Sequence, residues 1–232
     1  MATTKTILTL LLSVCMLASL AATATIPVPR IFLREEGAVA ILSKVAPTAG
    51  QCDPAYPSEC ATVVQAATGL TKAMADYKIY NTAEISVLIA LVAYESGDFR
   101  YNVHHFPSAN PGQGTRNMQN FQFNLGYAQF IAQTNATVAS QLKTITNGAA
   151  SGFTDDQMNQ VLSLVTPDEF TWGSAAWFYT SQPGCQAQIG SQVQTQGNAG
   201  YAAYLECVGT SMSEDRMPAW VAAREAFGLT TD

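Results

Sequence analysis

The chain has 232 residues, 48% hydrophobic and only 12% charged, with 17 acids against 11 bases for a formal net charge of −6. That length supports one domain with a real core. The acidic balance excludes partners chosen for their own negative charge, nucleic acid above all. No stretch approaches a membrane span, so the expectation is a soluble monomer with no membrane or nucleic-acid partner.

Residues 1–24 read as a secretory signal peptide. Lys5 supplies the charged start, residues 7–20 the apolar run, and Ala22-Thr23-Ala24 the cleavage site. The mature chain is then expected to be secreted and extracellular, with ten bases against seventeen acids, a net charge of −7. Cys15 leaves with the signal. Cys52, Cys60, Cys185 and Cys207 remain, an even set suited to disulfides in an oxidising compartment. Of the three connectivities, the sequence-local pairing Cys52–Cys60 and Cys185–Cys207 is expected. The spacings match no zinc pattern, and no metal or cofactor is implied. Residues 25–50 are broken by Pro27, Pro29 and Pro47 and carry Arg34-Glu35-Glu36. They read as a loosely ordered N-terminal arm before a domain over residues 51–232.

Apolar residues recur at helical spacing over 60–77, including Val63, Ala66, Ala67, Leu70 and Met74. Residues 87–97, Val-Leu-Ile-Ala-Leu-Val-Ala-Tyr-Glu-Ser-Gly, have almost no polar face, the mark of a buried helix. Asn81 and Glu84 suggest a capping box at its start, and Gly97 suits its end. Glu95 therefore emerges on the last turn of a core helix. The helix C-terminus and apolar neighbours such as Tyr94 disfavour charge there, which suits a general acid. A lone glutamate at a helix end is otherwise a solvated charge.

Residues 101–114 form a long loop rich in His, Pro, Asn and Gly. Residues 117–146 are mostly helical and stop at Asn147-Gly148, and Asn135-Ala136-Thr137 is a glycosylation sequon. Thr154 caps a helix over 155–164, and another runs to Tyr179. Residues 182–197 read as a loop, and helices over 199–207 and 218–227 close the chain. The class is mainly α, with no convincing strand.

Glu95-Ser96-Gly97-Asp98-Phe99 resembles the Glu-Ser-x-x-Phe signature of lytic transglycosylases and goose-type lysozymes. Asn117-Met118-Gln119, after a Gly-containing loop, is similar to the end of that family's Gly-Leu-Met-Gln segment, with Arg116 where the family has Gly. Gly126-Tyr127-Ala128-Gln129 offers a second register, farther from Glu95. Residues 172–179 are similar to an aromatic core helix of chitinase-like members of the wider lysozyme superfamily. The resemblance spans roughly residues 85–129. It implies a lysozyme-like helical domain, a secreted member of fungal type. The implied activity is cleavage of β-1,4 bonds in an N-acetylglucosamine polymer such as chitin, chitosan or peptidoglycan. Glu95 would be the general acid. The alternative is a non-catalytic glycan-binding or effector-like protein on the same scaffold.

Around Glu95 the candidates are these. Asp98 is a second carboxylate that tunes Glu95 or orients water, or else a loop cap. Arg116, Asn117 and Gln119 could hydrogen-bond sugar hydroxyls and acetamides, or simply be a polar loop. Tyr94, Tyr101 and Tyr179 could stack on sugar rings, and Ser96 and His104 could line the cleft. Trp177 and Phe178 suit the core. No Gly-x-Ser-x-Gly elbow and no phosphate loop occur.

Overall fold

The computed structural model describes residues 32–229. The expected signal peptide and residues 25–31 of the expected arm lie outside that range.

The rest of the arm is not loose. Glu35–Val45 is helix α1, with Ala38, Ile41, Leu42 and Val45 buried on one face. The apolar spacing 38, 41, 42, 45 is helical, and the flanking prolines hid it. Helix α2, Val63–Asp76, starts at a full capping box between Thr62 and Gln65. Helix α3, Thr82–Glu95, buries every residue from Ala83 to Ala93. Asn81 caps it, but Glu84 does not return the bond. Its carboxylate is buried and accepts from the Tyr179 hydroxyl at 3.0 Å and Gln186 Nε2 at 3.2 Å.

The expected helical run over 117–146 is two helices, α4 (Phe121–Ala132) and α5 (Ala136–Thr146), because Asn120 and Asn135 each cap a new start. Then come α6 (Asp155–Val165), the short α7 (Asp168–Thr171) and α8 (Ser174–Ser181). Gln186–Thr195 is helix α9 rather than a loop. Its only apolar pair is Ile189 and Val193, one turn apart, and glutamines sustain helix well enough once that stripe is buried. Helix α10 (Gly197–Cys207), a 3₁₀ turn (Glu214–Arg216) and α11 (Met217–Ala226) complete the fold.

Helix α3 is the axis: α1, α8, α9, α10 and α11 all pack on it, and α4, α5 and α6 form a second layer joined through α8. One hydrophobic cluster runs through both layers. Among the described residues there is no strand, only isolated bridges Val103–Gly114 and Gly114–Gln119. The cysteines pair as Cys52–Cys60 and Cys185–Cys207, with Cα atoms 5.4 and 5.3 Å apart. No described helix is long and apolar enough to cross a membrane. Mainly α is therefore the class.

Five tyrosines, Tyr77, Tyr127, Tyr179, Tyr201 and Tyr204, have phenols held above the usual range, chiefly by burial. Tyr77 is pushed up to about 12. Their folded values exceed the unfolded value, so the native state keeps protons that the unfolded chain loses. Stability present below pH 10.0 should therefore fall as pH rises through the window to about 12. A spectrophotometric titration should show these phenols ionising only together with loss of helical circular dichroism. Free ionisation of all nine tyrosines in the folded protein would contradict this burial.

Candidate functional site

Glu95 closes α3, and the turn after it is conformationally expensive. Gly97, Asp98 and Phe99 have φ of 58°, 58° and 68°, three left-handed residues in a row. Glycine takes this freely, while the other two cost roughly 1–2 kcal/mol each. The surroundings hold them there. Ser96 Oγ donates to Val92 O at 2.6 Å and accepts from Phe99 N at 2.9 Å. Asp98 Oδ2 accepts from Thr48 N at 3.0 Å and Thr48 Oγ1 at 2.7 Å. Arg116 Nη1 donates to Phe99 O at 2.9 Å and Tyr101 O at 3.1 Å.

The facing wall is residues 113–120. Gly114 cannot carry a side chain, because a Cβ there would lie 2.5 Å from Asn102 O. Thr115 and Met118 have positive φ, and amides knit the loop. Asn117 Oδ1 accepts from Ser174 Oγ at 2.7 Å and Thr115 Oγ1 at 2.9 Å. Gln119 Nε2 donates to Asn124 Oδ1 at 2.8 Å, and Asn124 Nδ2 donates to Gly112 O and Gln119 O. Asn117 Nδ2 donates to Gln119 Oε1 at 3.3 Å, which leaves one hydrogen on it and one on Gln119 Nε2 without an acceptor among the described residues.

Between wall and helix lies a cleft of about 290 Å³, lined by Glu95, Leu91, Gln113, Asn117, Met118, Gln119, Asn120, Phe123, Phe178, Val208, Thr210 and Arg216. Its charged side chains are Glu95 and Arg216. Arg216 Nη1 donates to Glu95 Oε1 at 2.7 Å and Nη2 to Thr210 Oγ1 at 3.2 Å, with the guanidinium 4.3 Å over the Tyr94 ring. Glu95 Oε2 makes no hydrogen bond among the described residues, and the side chain is 21% exposed. The Tyr94 hydroxyl donates to Asp215, beside Arg216. Burial and that bond raise the Tyr94 phenol, and Ser213 and Tyr94 hold the Asp215 carboxyl low.

Glu95, Asn117 and Gln119 thus meet in one cleft, with Tyr94 behind the ion pair. The remaining expected site residues lie elsewhere. Asp98 faces Thr48 and lines a different hollow with Lys44 and Arg100. Arg116 is 2% exposed, turned inward because the left-handed turn leaves carbonyls that need a donor. Ser96 and Tyr179 are fully buried, the first bracing the turn and the second bonded to Glu84. The Tyr101 hydroxyl donates to Asp53 at 2.8 Å, and its ring packs with Tyr56, His105 and Phe106 outside the cleft. His104 lines another hollow with Pro111 and Leu162. Gln129 is exposed on α4 and does not line the cleft, whereas Asn117, Met118 and Gln119 do. Among the described residues no cluster of three His, Cys, Asp or Glu side chains could hold a metal.

Sequence reasoning missed Arg216. One signal was available: an arginine directly before Met217-Pro218 caps a helix N-terminus, where a cation is unfavourable and implies a specific anion. A larger groove of about 620 Å³ runs between α2 and the end of α4. We place the candidate site at Glu95 instead, because there a partly exposed carboxyl, two amide side chains and an arginine converge.

No protein-family profile matches the chain, and no solved structure matches it. The chain is 36% identical over 166 residues, 71% of its length, to a bifunctional dioxygenase (DOX)-epoxy alcohol synthase (EAS) of Fusarium oxysporum (strain Fo5176). The chain spans only 12% of that protein's length.

The placement of Arg116 is directly testable. Arg116→Met should destabilise by roughly 2–4 kcal/mol, since two buried carbonyls lose their donor. Arg116→Lys should recover only part of this, lacking the planar fork. Urea denaturation measures both. A change below ~0.5 kcal/mol for Arg116→Met would return Arg116 to the surface role expected of a sugar contact.

Proposed function

We propose that the protein is a secreted, lysozyme-like glycosidase that cleaves β-1,4 bonds in an N-acetylglucosamine-containing polymer. The observation that carries this reading is the meeting of Glu95 with the amides of Asn117 and Gln119 across one cleft. Glu95 Oε2, free of partners among the described residues, is the atom that would hand its proton to the leaving glycosidic oxygen. Arg216 on Oε1 would fix the carboxyl and stabilise the carboxylate left behind. Asn117 and Gln119 would hold hydroxyl or acetamide groups, and Phe123 and Phe178 would pack on a ring face. Glu95 and Arg216 cancel in charge, so the lining suits neutral acetylated sugars such as chitin better than cationic chitosan. Two disulfides fit an extracellular setting. The relative's dioxygenase and epoxy alcohol synthase activities are named for a protein eight times the matched length, and the reading rests on the cleft rather than on them.

A second reading, a non-catalytic glycan-binding protein, is favoured by one feature: among the described residues Glu95 is the single carboxylate lining the cleft, and it is already paired. The two separate cleanly. Glu95→Gln keeps the shape and removes the proton. Reducing-end release from chitin oligomers, chitosan and peptidoglycan should fall by at least ~100-fold, with the melting temperature near that of wild type. Undiminished cleavage by Glu95→Gln ends the acid assignment. Wild type that binds a polymer without cutting any of them establishes the binding role.

A further inference from the structure

The groove of about 620 Å³ is of ligand-binding size, yet the cleft reading gives it no task. Its floor is aromatic. Trp172 is pressed so closely on α2 that a Cβ at Gly69 would lie 2.2 Å from the indole. Tyr77 and Phe130 stand 6.2 Å apart along it, and Phe130 is 43% exposed, as is Val64 at 52%. Its rim is polar and charged, with Gln65, Thr68 and Thr134 beside Lys72, Asp76, Asp168 and Glu169. An apolar floor with a hydrogen-bonding rim suits a sugar ring, whose faces are C–H and whose edges are hydroxyl. An exposed apolar patch of this kind also calls for a cover.

The lining includes Asn135, the acceptor of the Asn135-Ala136-Thr137 sequon. Asn135 Oδ1 accepts from Val138 N at 3.0 Å and caps α5, while Nδ2 donates to no group among the described residues. Thr137 is exposed. The cap uses the oxygen and glycosylation uses the nitrogen, so the two are compatible.

We propose that Asn135 carries an N-linked glycan whose first N-acetylglucosamine residues lie in this groove against Phe130 and Tyr77. In the secretory lumen, Nδ2 attacks C1 of a lipid-diphosphate-linked oligosaccharide. The N–C1 bond forms, the C1–O bond to the lipid diphosphate breaks, and one nitrogen proton is lost. Nδ2 keeps one hydrogen and Oδ1 keeps its cap. Tethering then holds the first sugars beside the aromatic floor at high effective concentration, so weak stacking is enough to seat them. The inference rests on the secreted reading and is independent of Glu95.

The test uses the full chain made with its own leader in a eukaryotic secretory host. Intact mass and peptide mapping should place a glycan on Asn135, and Asn135→Gln should lack it. An endoglycosidase that cuts between the two core N-acetylglucosamines should act slowly on the native glycoprotein. It should act roughly tenfold faster on Phe130→Ala, whose exposed position spares the core, with equal rates once both are denatured. An unmodified Asn135 in secreted protein overturns the proposal. Equal native rates for wild type and Phe130→Ala overturn the groove assignment. A wild-type glycoprotein that dimerises, and that Phe130→Ala makes monomeric, assigns the groove to a second copy and overturns it too.

Discussion

The guanidinium of Arg116 is the interaction on which the geometry of the cleft depends. It is a full cation in the interior, and burial pulls its pKa down to about 10, which still leaves it charged at neutral pH. A buried cation is costly unless its donors are met. Phe99 O and Tyr101 O accept from Nη1, the Trp172 ring lies 4.5 Å beneath, and Asp168 and Glu59 add distant negative charge, while Nε stays buried without an acceptor among the described residues. These partners come from the turn after Glu95, from the Asp168–Thr171 helix with its C-cap Trp172, and from Glu59. The turn that follows Glu95 and the loop that carries Asn117 and Gln119 are therefore bolted to one side chain. Catalytic geometry tolerates errors of only about half an ångström, and a shared buried anchor is how two loops can keep that tolerance.

The other side of the cleft is built differently. Residues 211–215 are exposed, and the contact with Glu95 is carried by one arginine on a single 3₁₀ turn. Asp215 is fixed to the Tyr94 hydroxyl, and Arg216 lies on the same ring. A wall with few buried apolar contacts opens at lower free energy than a wall knotted by buried amides. The cleft thus has a rigid jaw, residues 113–120, and a lightly held jaw, residues 208–216. Any ligand that displaces Arg216 from Glu95 acts on the second.

Much of the fold was legible because burial leaves periodic traces. Helix α3 announces itself by eleven consecutive buried residues with no polar stripe, and Asn81 and Thr154 mark starts as capping residues do, whereas the caps Asn120 and Asn135 lie within an unbroken helical pattern that hid the break between α4 and α5. Helix α1 was hidden by prolines on either side, and α9 by its glutamines, since its burial is decided by packing on α3 and α10 rather than by its own hydrophobicity. The site was half legible. Glu95, Asn117 and Gln119 carry a motif. Arg116 looked like a surface contact because its partners are backbone carbonyls, which no side-chain pattern records. Arg216 lies 121 positions from Glu95 and meets it only through the packing of α11 on α3.

Asp98 shows what decides between one carboxylate and two. It lies three residues beyond Glu95, close enough in sequence to share a site. Had the helix continued, residue 98 would have stood on nearly the same face as residue 95. The left-handed turn at Gly97 prevents this and swings the Asp98 side chain to Thr48 and α1. The same three positive φ values also let Phe99 bury beneath Trp172 and present its carbonyl to Arg116. The strain that anchors the turn is therefore the strain that removes the second carboxylate from the cleft. Under the glycosidase reading, the group that attacks the sugar must come from water or from the substrate itself, held by the amides of the rigid jaw. Among the described residues lining the cleft, no second carboxylate stands beside Glu95 to make a conventional pair.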